Sequence, residues 1–290
     1  MESLKDREAA HRLAGSIPAL AGPILSIDTS TGAAVGLVVP GQPPLRYLSA
    51  DPRRQVEDLA PLISQILGDA ALSPGDLAAI AVGTGPAPYT GLRIGLATAQ
   101  SLGLALRKPV IGVCSLDVLA AQALDVLPVK ADDLLVATGD ARRREVYWAT
   151  YQVCQASADH APYQVSNPSS HNATTQVAGD CPDETNVLIS GGGVCCRRLA
   201  GPNVNRPPDL AAQLASFPTV HRAGGGCLLY PQELPLSAQA PSRPDPVMLI
   251  NLAVARYQQG QPTPTRPLYL RRPDAQTPGR PKRASLPTTP

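Results

Sequence analysis

Aromatic residues are scarce in this chain, with one Phe, one Trp and eight Tyr among 290 residues. Its core must therefore be filled by Ala, Val, Leu and Ile, and the hydrophobic share of 43% suffices for one large domain or, as preferred here, two lobes. Long apolar runs are lacking too: none reaches the roughly 18 residues of a membrane span. Glu2, Lys5, Asp6, Arg7, Glu8 and Arg12 interrupt the start, where a secretory signal needs an apolar stretch. A soluble cytoplasmic protein with no membrane contact is expected. Net charge is only +2, so the total makes no demand for a nucleic acid partner.

Chemistry-bearing patterns are thin. The six cysteines form no C-x-x-C pair, which argues against zinc, and in a long chain without a secretory signal they read as reduced thiols. The four histidines, His11, His160, His171 and His221, make no H-x-x-x-H pair, and neither G-x-S-x-G nor H-E-x-x-H occurs. No catalytic residue and no metal ligand set is therefore assigned. A peptidase reading lacks a nucleophile and base.

What the chain does have is proline, 32 in all, and clear punctuation. Residues 1–22 read as a polar extension. Strands are predicted at Ile24–Asp28, Ala33–Val39 and Leu45–Ser49, then a helix from Gln55 to Gly68 with Val56, Leu59, Ile63, Ile66 and Leu67 at helical spacing. Ala79–Val82 is a strand, and Thr90 is placed to cap a helix that runs to Arg107. Pro109–Val113 closes a βββαβαβ order. Ser115 is expected to cap a further helix through Leu124, followed by strands Leu134–Thr138 and Glu145–Val153 around the turn Asp140–Arg144. Residues 154–186 read as a polar insertion, Val187–Ser190 as a short strand, Asp209–Leu214 and Val247–Gln259 as helices, Pro267–Pro273 as a strand, and 275–290 as a basic Pro-rich disordered tail. The order matches an α/β, two-lobed actin-like/Hsp70-like ATPase fold of ribonuclease H-like lobes, with mixed sheets and flanking helices; the lobes are drawn at 23–114 and 115–274.

Within the second helix, Gly91, Gly95, Ala99 and Gly103 recur four apart, with Leu92, Leu96, Leu102 and Leu106 beside them. Interior glycine costs about 1 kcal/mol against alanine, so the ridge must repay it by close approach, either of this chain or of a partner helix. Arg93 opposes the helix dipole in the first turn and is expected to have a carboxylate or carbonyl partner. The fold calls for a phosphate loop after the first strand. There Asp28-Thr29-Ser30-Thr31 puts Ser30 where a glycine is wanted, leaving either a degenerate nucleotide site or a turn held by Asp and Thr side chains. Gly191 and Gly192 either approach an adenosine or simply turn the chain. Arg142 to Arg144 either bind phosphate or form a solvated face.

ILSIDTST at 24–31, AVGTGPAPYTGLRIGLATAQSLGLAL at 81–106, VIGVCSLDVLA at 110–120, DARRREVYWATY at 140–151 and PLYLRRPDA at 267–275 together resemble the TsaB family. Asp140, Arg142 and Glu145 fall in its D-A-R-x-x-E turn. Ala87 and Pro88 depart from its usual Gly-Ser, Gln55 from a common His, and Arg144 from a common Gly. The resemblance implies a non-catalytic scaffold and activating subunit for threonylcarbamoyl modification of the adenosine beside the anticodon. It also implies a TsaD-like catalytic partner that carries ATP and a metal, a TsaE-like ATPase, tRNA met only through the complex, and a possible homodimer. The partner interface is then expected on Val56, Leu59, Ile63, Ile66, Leu67, Leu92, Arg93, Gly95, Leu96, Ala99, Leu102 and Gly103. The alternative from another class is a small-molecule kinase or ATPase of the actin-like superfamily; a glycoprotease-like peptidase stands behind it.

Overall fold

The computed structural model describes residues 20–49, 51, 54–155, 187–189 and 194–271. Most of the 1–22 extension, most of the 154–186 segment, Gly191 and Gly192, and the 275–290 tail lie outside the described residues. Strands β1 (Ile24–Asp28), β2 (Ala34–Val38) and β3 (Leu45–Leu48) form the expected antiparallel meander, Ile24 facing Val38 and Asp28 facing Ala34. On the other side of β1, β4 (Ala79–Gly83) and β5 (Val110–Val113) add in parallel, giving the order β3-β2-β1-β4-β5. Helix α1 (Gln55–Asp69) links β3 to β4, and α2 (Tyr89–Leu106) links β4 to β5. Strands β1, β2 and β4 are buried along their whole length and, apart from Ser26 and Asp28 of β1, carry apolar residues or glycine on both faces, so the sheet must be covered twice.

The second half repeats the scheme. After helix α3 (Ser115–Val126), strands β6 (Leu134–Asp140), β7 (Val146–Gln155) and β9 (Val194–Asn205) run antiparallel. Strand β10 (Val220–Gly224) pairs in parallel with β6, and the short β8 (Val187–Ile189) extends the edge beside β9. The run β10-β6-β7-β9 thus has the same directions as β4-β1-β2-β3. Helices α4 (Pro207–Leu214), α5 (Gly225–Leu229) and α6 (Pro246–Gln258) complete this half.

Five layers result. Leu25, Ile27, Val35, Leu37, Ile80 and Val82 pack outward against α1 and α2. Their strand neighbours Ile24, Val38, Ala79, Ala81 and Ile111 pack inward on α3 and α6, which also receive Leu135, Ala137, Ala149, Tyr151 and Val153 from the second sheet. That sheet's outer face, with Val136, Val146 and Trp148, is covered by Leu210 and Leu214 of α4 and Cys227 of α5. Period-two alternation sorts each strand between two cores.

Several expectations need correction. Pro88, not Thr90, is the cap residue of α2, and no side chain bonds the freed N–H groups there. Ser115 lies inside α3 and its hydroxyl serves another group. Residues 267–271 are not a strand: Pro262, Pro264 and Pro267 lack the N–H of a ladder. They run as an extended strap, with Gly112 N–H donating to Thr263 O at 3.2 Å and Leu268 N–H to Thr84 O at 3.0 Å. Strand β9 crosses Gly201-Pro202, which reads as a break, because register shifts opposite Trp148–Tyr151 absorb the extra residues.

Candidate functional site

The residues expected to face a partner mostly face this chain's own sheet. Leu59, Ile63, Ile66, Leu67, Leu92, Leu96 and Ala99 are buried in the core shared with β1, β2 and β4. Gly95 and Gly103 are buried as well, and Leu102 is partly buried. The small-residue ridge exists for close approach within the chain: a Cβ on Gly95 would collide with the Thr29 side chain, whose hydroxyl donates to Gly91 O at 2.8 Å. Only Val56, 63% exposed, and Arg93 look outward. An apolar stripe reports burial, and here the twice-covered sheet supplies the cover.

What α1 and α2 present to solvent is a different set. Along the middle of α1 these are Ala60, Pro61, Ser64, Gln65 and Gly68, with Val56, Glu57 and Asp69 exposed toward its ends; along α2 they are Ala97, Gln100, Ser101, Leu104 and Ala105, with Thr90 and Arg93 exposed in its first turn. Ala60, Ser64 and Gly68 repeat four apart, as do Ala97, Ser101 and Ala105, and Leu104 is 83% exposed. Between Leu59 and Gly68, and from Ile94 to Leu106, there is no charged residue. Solvated helix faces ordinarily carry charge on a quarter or more of their residues. Small outward rows at this spacing leave grooves that another helix's ridges can enter.

Between the two halves lies a cleft of about 700 Å³, bordered by the β1–β2 turn (Thr29, Ser30, Thr31) and its repeat-related β6–β7 turn (Asp140, Arg142). The two turns are built alike. Asp28 Oδ1 accepts from Ser30 N–H at 2.7 Å, and Asp140 Oδ1 accepts from Arg142 N–H at 2.7 Å. Asp28 is 2% exposed and also accepts from the Ser30 hydroxyl at 2.6 Å and the Ser115 hydroxyl at 2.7 Å. Burial raises its pKa, and these three donors only partly offset that. A carboxylate enclosed this way anchors a turn and is not arranged to ligate a metal in the cleft. Thr31 borders the cleft, whereas Gly191 and Gly192 fall outside the described residues. Among the described residues no group of three His, Cys, Asp or Glu gathers as a metal site.

Among the described residues Arg93 has neither a carboxylate nor a carbonyl partner. Its Nε donates to Tyr269 Oη at 2.7 Å, and its guanidinium lies 3.8 Å from the Tyr89 ring centre, while the two rings stack at 4.8 Å. Tyr269 belongs to the strap. Two residues on, Arg271 pairs with Glu145 and donates to Ala141 O at 3.1 Å, so the strap ties α2 to the D-A-R-R-R-E turn. In that turn Arg142, Arg143 and Arg144 all have positive φ, 61°, 53° and 60°. Arg142 is paired with Asp140 at 3.1 Å.

One buried cluster escaped the sequence reading. Asp117, fully buried on α3, accepts from Tyr151 Oη at 2.6 Å and Arg256 Nη2 at 2.8 Å and pairs with Arg198. Burial pushes its pKa up, but Arg198 and then Arg256 outweigh that and leave it below the ordinary value. The signal was there in SLDVLAAQALDV, where Asp117 falls among apolar residues in the first turn while the second acid, Asp125, sits at the exposed end.

Repeated α/β halves, stacked in five layers around a cleft between their first hairpins, define the two-lobed actin-like ATPase class. The family described as "TsaD: tRNA N6-adenosine threonylcarbamoyltransferase" matches residues 51–217. An uncharacterized protein of Mycobacterium tuberculosis is 35% identical over 259 residues, 87% of this chain and 93% of its own length. Escherichia coli TsaB, a tRNA threonylcarbamoyladenosine biosynthesis protein, is 36% identical over 129 residues, 44% of this chain and 54% of its own. A crystal structure of a Pseudomonas aeruginosa protein with similarity to peptidase YeaZ superposes with TM-score 0.59 at 26% identity, covering 86% of this chain and all of that one. The chain belongs to this TsaD family and is TsaB-like within it. No helix among the described residues is long and apolar enough to cross a membrane.

Proposed function

We propose that this chain is a non-catalytic subunit in tRNA threonylcarbamoyladenosine biosynthesis and docks a TsaD-like catalytic subunit on the outer face of α1 and α2. The observation that carries this reading is the uncharged, small-residue surface over Ala60–Gly68 and Ala97–Ala105. A contact of about 800 Å² per partner is the usual size of a stable interface, and two exposed helix faces of this length can supply it. ATP and the metal then belong to the partner, a TsaE-like ATPase joins the pair, and tRNA is met through the assembly in the cytoplasm. A second copy of the chain competes for the same face as a homodimer.

The double variant A97E/L104E tests the proposal, since both positions are exposed and the fold should tolerate them. It should lose co-elution with the TsaD-like protein of the same organism while its thermal midpoint stays within a few degrees of wild type. Undiminished co-elution would refute the docking face. The inter-lobe cleft keeps a kinase or ATPase reading in play. Calorimetry of the isolated chain with ATP and magnesium decides: micromolar binding favours the enzyme, and no heat favours the subunit.

A further inference from the structure

We propose that Cys154 and Cys195 form a redox modification site that closes into a cross-strand disulfide by exchange with a small-molecule disulfide. The β7–β9 register sets the two residues directly opposite one another, with Cys195 Sγ 3.0 Å from Cys154 Sγ. Opposed residues of antiparallel strands have Cα atoms about 4.5–5.5 Å apart, inside the range of about 4.4–6.8 Å that a disulfide spans. Contracting the sulfur separation to about 2.05 Å thus takes side-chain rotation and no slip of the ladder.

The pair also divides the roles that exchange requires. Cys154 is half-buried and within reach of a reagent, whereas Cys195 is buried behind it. The Cys195 S–H donates to Cys154 Sγ and is the main influence that brings the Cys154 thiol down to about 7; the Arg197 charge and N–H assist, against burial and Asp132. A large thiolate fraction therefore exists at neutral pH. The other described thiols are differently placed. Cys196 faces Val153 and packs in the central core, Cys227 is buried beside Thr138 at 3.2 Å, and burial pushes Cys114 up to about 12.

In the first step the Cys154 thiolate attacks one sulfur of the small disulfide, forming a mixed disulfide and expelling a thiolate. Cys195 then loses its proton to that departing thiolate or to water, and its sulfur attacks Cys154 Sγ. The mixed bond breaks and a second small thiol leaves. Two protein thiols are oxidised and one small disulfide is reduced to two thiols. The new bond clamps β7 to β9, the strands that supply Tyr151 and Arg198 to the Asp117 cluster.

Full-length protein should be equilibrated with oxidised and reduced glutathione over a range of ratios, alkylated and peptide-mapped. The expected product links Cys154 to Cys195, reverses in reduced glutathione, and forms unchanged in C181S and C196S. C195S should stop at a glutathione adduct on Cys154, and oxidation should raise the thermal midpoint of wild type but not of C154S. Two results would overturn the proposal: both thiols remaining alkylatable in excess oxidised glutathione, or Cys154 bridging to Cys181 or Cys196.

Discussion

Asp117 is the residue whose loss should be felt most. D117N keeps the shape of the side chain but strips the charge that two buried guanidiniums share, leaving Arg256, 5% exposed, and Arg198 without a counter-ion. Breaking a buried pair from one side costs about 3–5 kcal/mol, because an uncompensated charge stays inside. For a domain of this size each kcal/mol moves the thermal midpoint by about 2–4 °C, so a drop of about 6–20 °C is expected by differential scanning fluorimetry. The pH dependence carries a second check. Asp117 has a folded pKa below its ordinary 3.8, so its contribution is present above that value and lost as pH falls through the lower, folded one. The gap between wild type and D117N should hold from about pH 8 to 5 and shrink only below about pH 4. A triple variant, D117L with R198M and R256M, should recover much of the loss by replacing the ions with apolar volume. A midpoint change of under about 2 °C for D117N would sink this account.

Three further outcomes follow from the geometry. R144G should raise the thermal midpoint by about 2–4 °C, since a left-handed φ of 60° costs a side chain about 1–2 kcal/mol and part of that returns with glycine; an unchanged or lower midpoint would contradict it. For Asp28 the linkage sign is opposite to that of Asp117. Its folded pKa is raised above 3.8, so its contribution is full at acid pH and lost as pH rises through the folded value. D28N should therefore be the more stable protein at neutral pH in urea titrations, with the advantage vanishing toward about pH 4, and a less stable D28N at pH 7 would count against the buried-carboxylate reading. G95L should lower the stability of the isolated chain by about 3 kcal/mol through overpacking against Thr29; normal urea unfolding of that variant would return the inward ridge to the interface.

Elements whose side chains alternate or repeat cleanly were legible. The first meander, α1, α2 and α6 were read within a few residues, because apolar period alone defines them. Strand β10 was hidden, since VHRAG puts His221 and Arg222 in a strand; His221 is accommodated by Asp133 at 2.9 Å, a partner far away in sequence. The D-A-R-R-R-E turn was recognisable as a motif, but its tie to the strap needed Arg271, distant along the chain. The interface residues failed for a definable reason. Periodicity identifies the side of a helix that leaves water and says nothing about what it meets. The missing step was available: a sheet whose strands are apolar on both faces needs two coverings, and α1 and α2 are the elements that the βββαβαβ order leaves for one of them.

That step changes what the two helices are for. Ala99 and Ala97 stand two residues apart, on opposite sides of α2, so the inward row Gly91-Gly95-Ala99-Gly103 and the outward row Ala97-Ser101-Ala105 make the helix slender in both directions. The inner row lets the backbone settle onto Thr29 and the sheet. Leu92 and Leu96 supply apolar burial, about 1.5–3 kcal/mol each, to anchor it there. The outer row contributes nothing to that packing, and lysine or glutamate at those positions would serve solubility better. Bare, neutral, four-apart spacing on a surface that the fold does not use is a cost in isolation, and close packing against a second helix pair is the physical arrangement that offsets it.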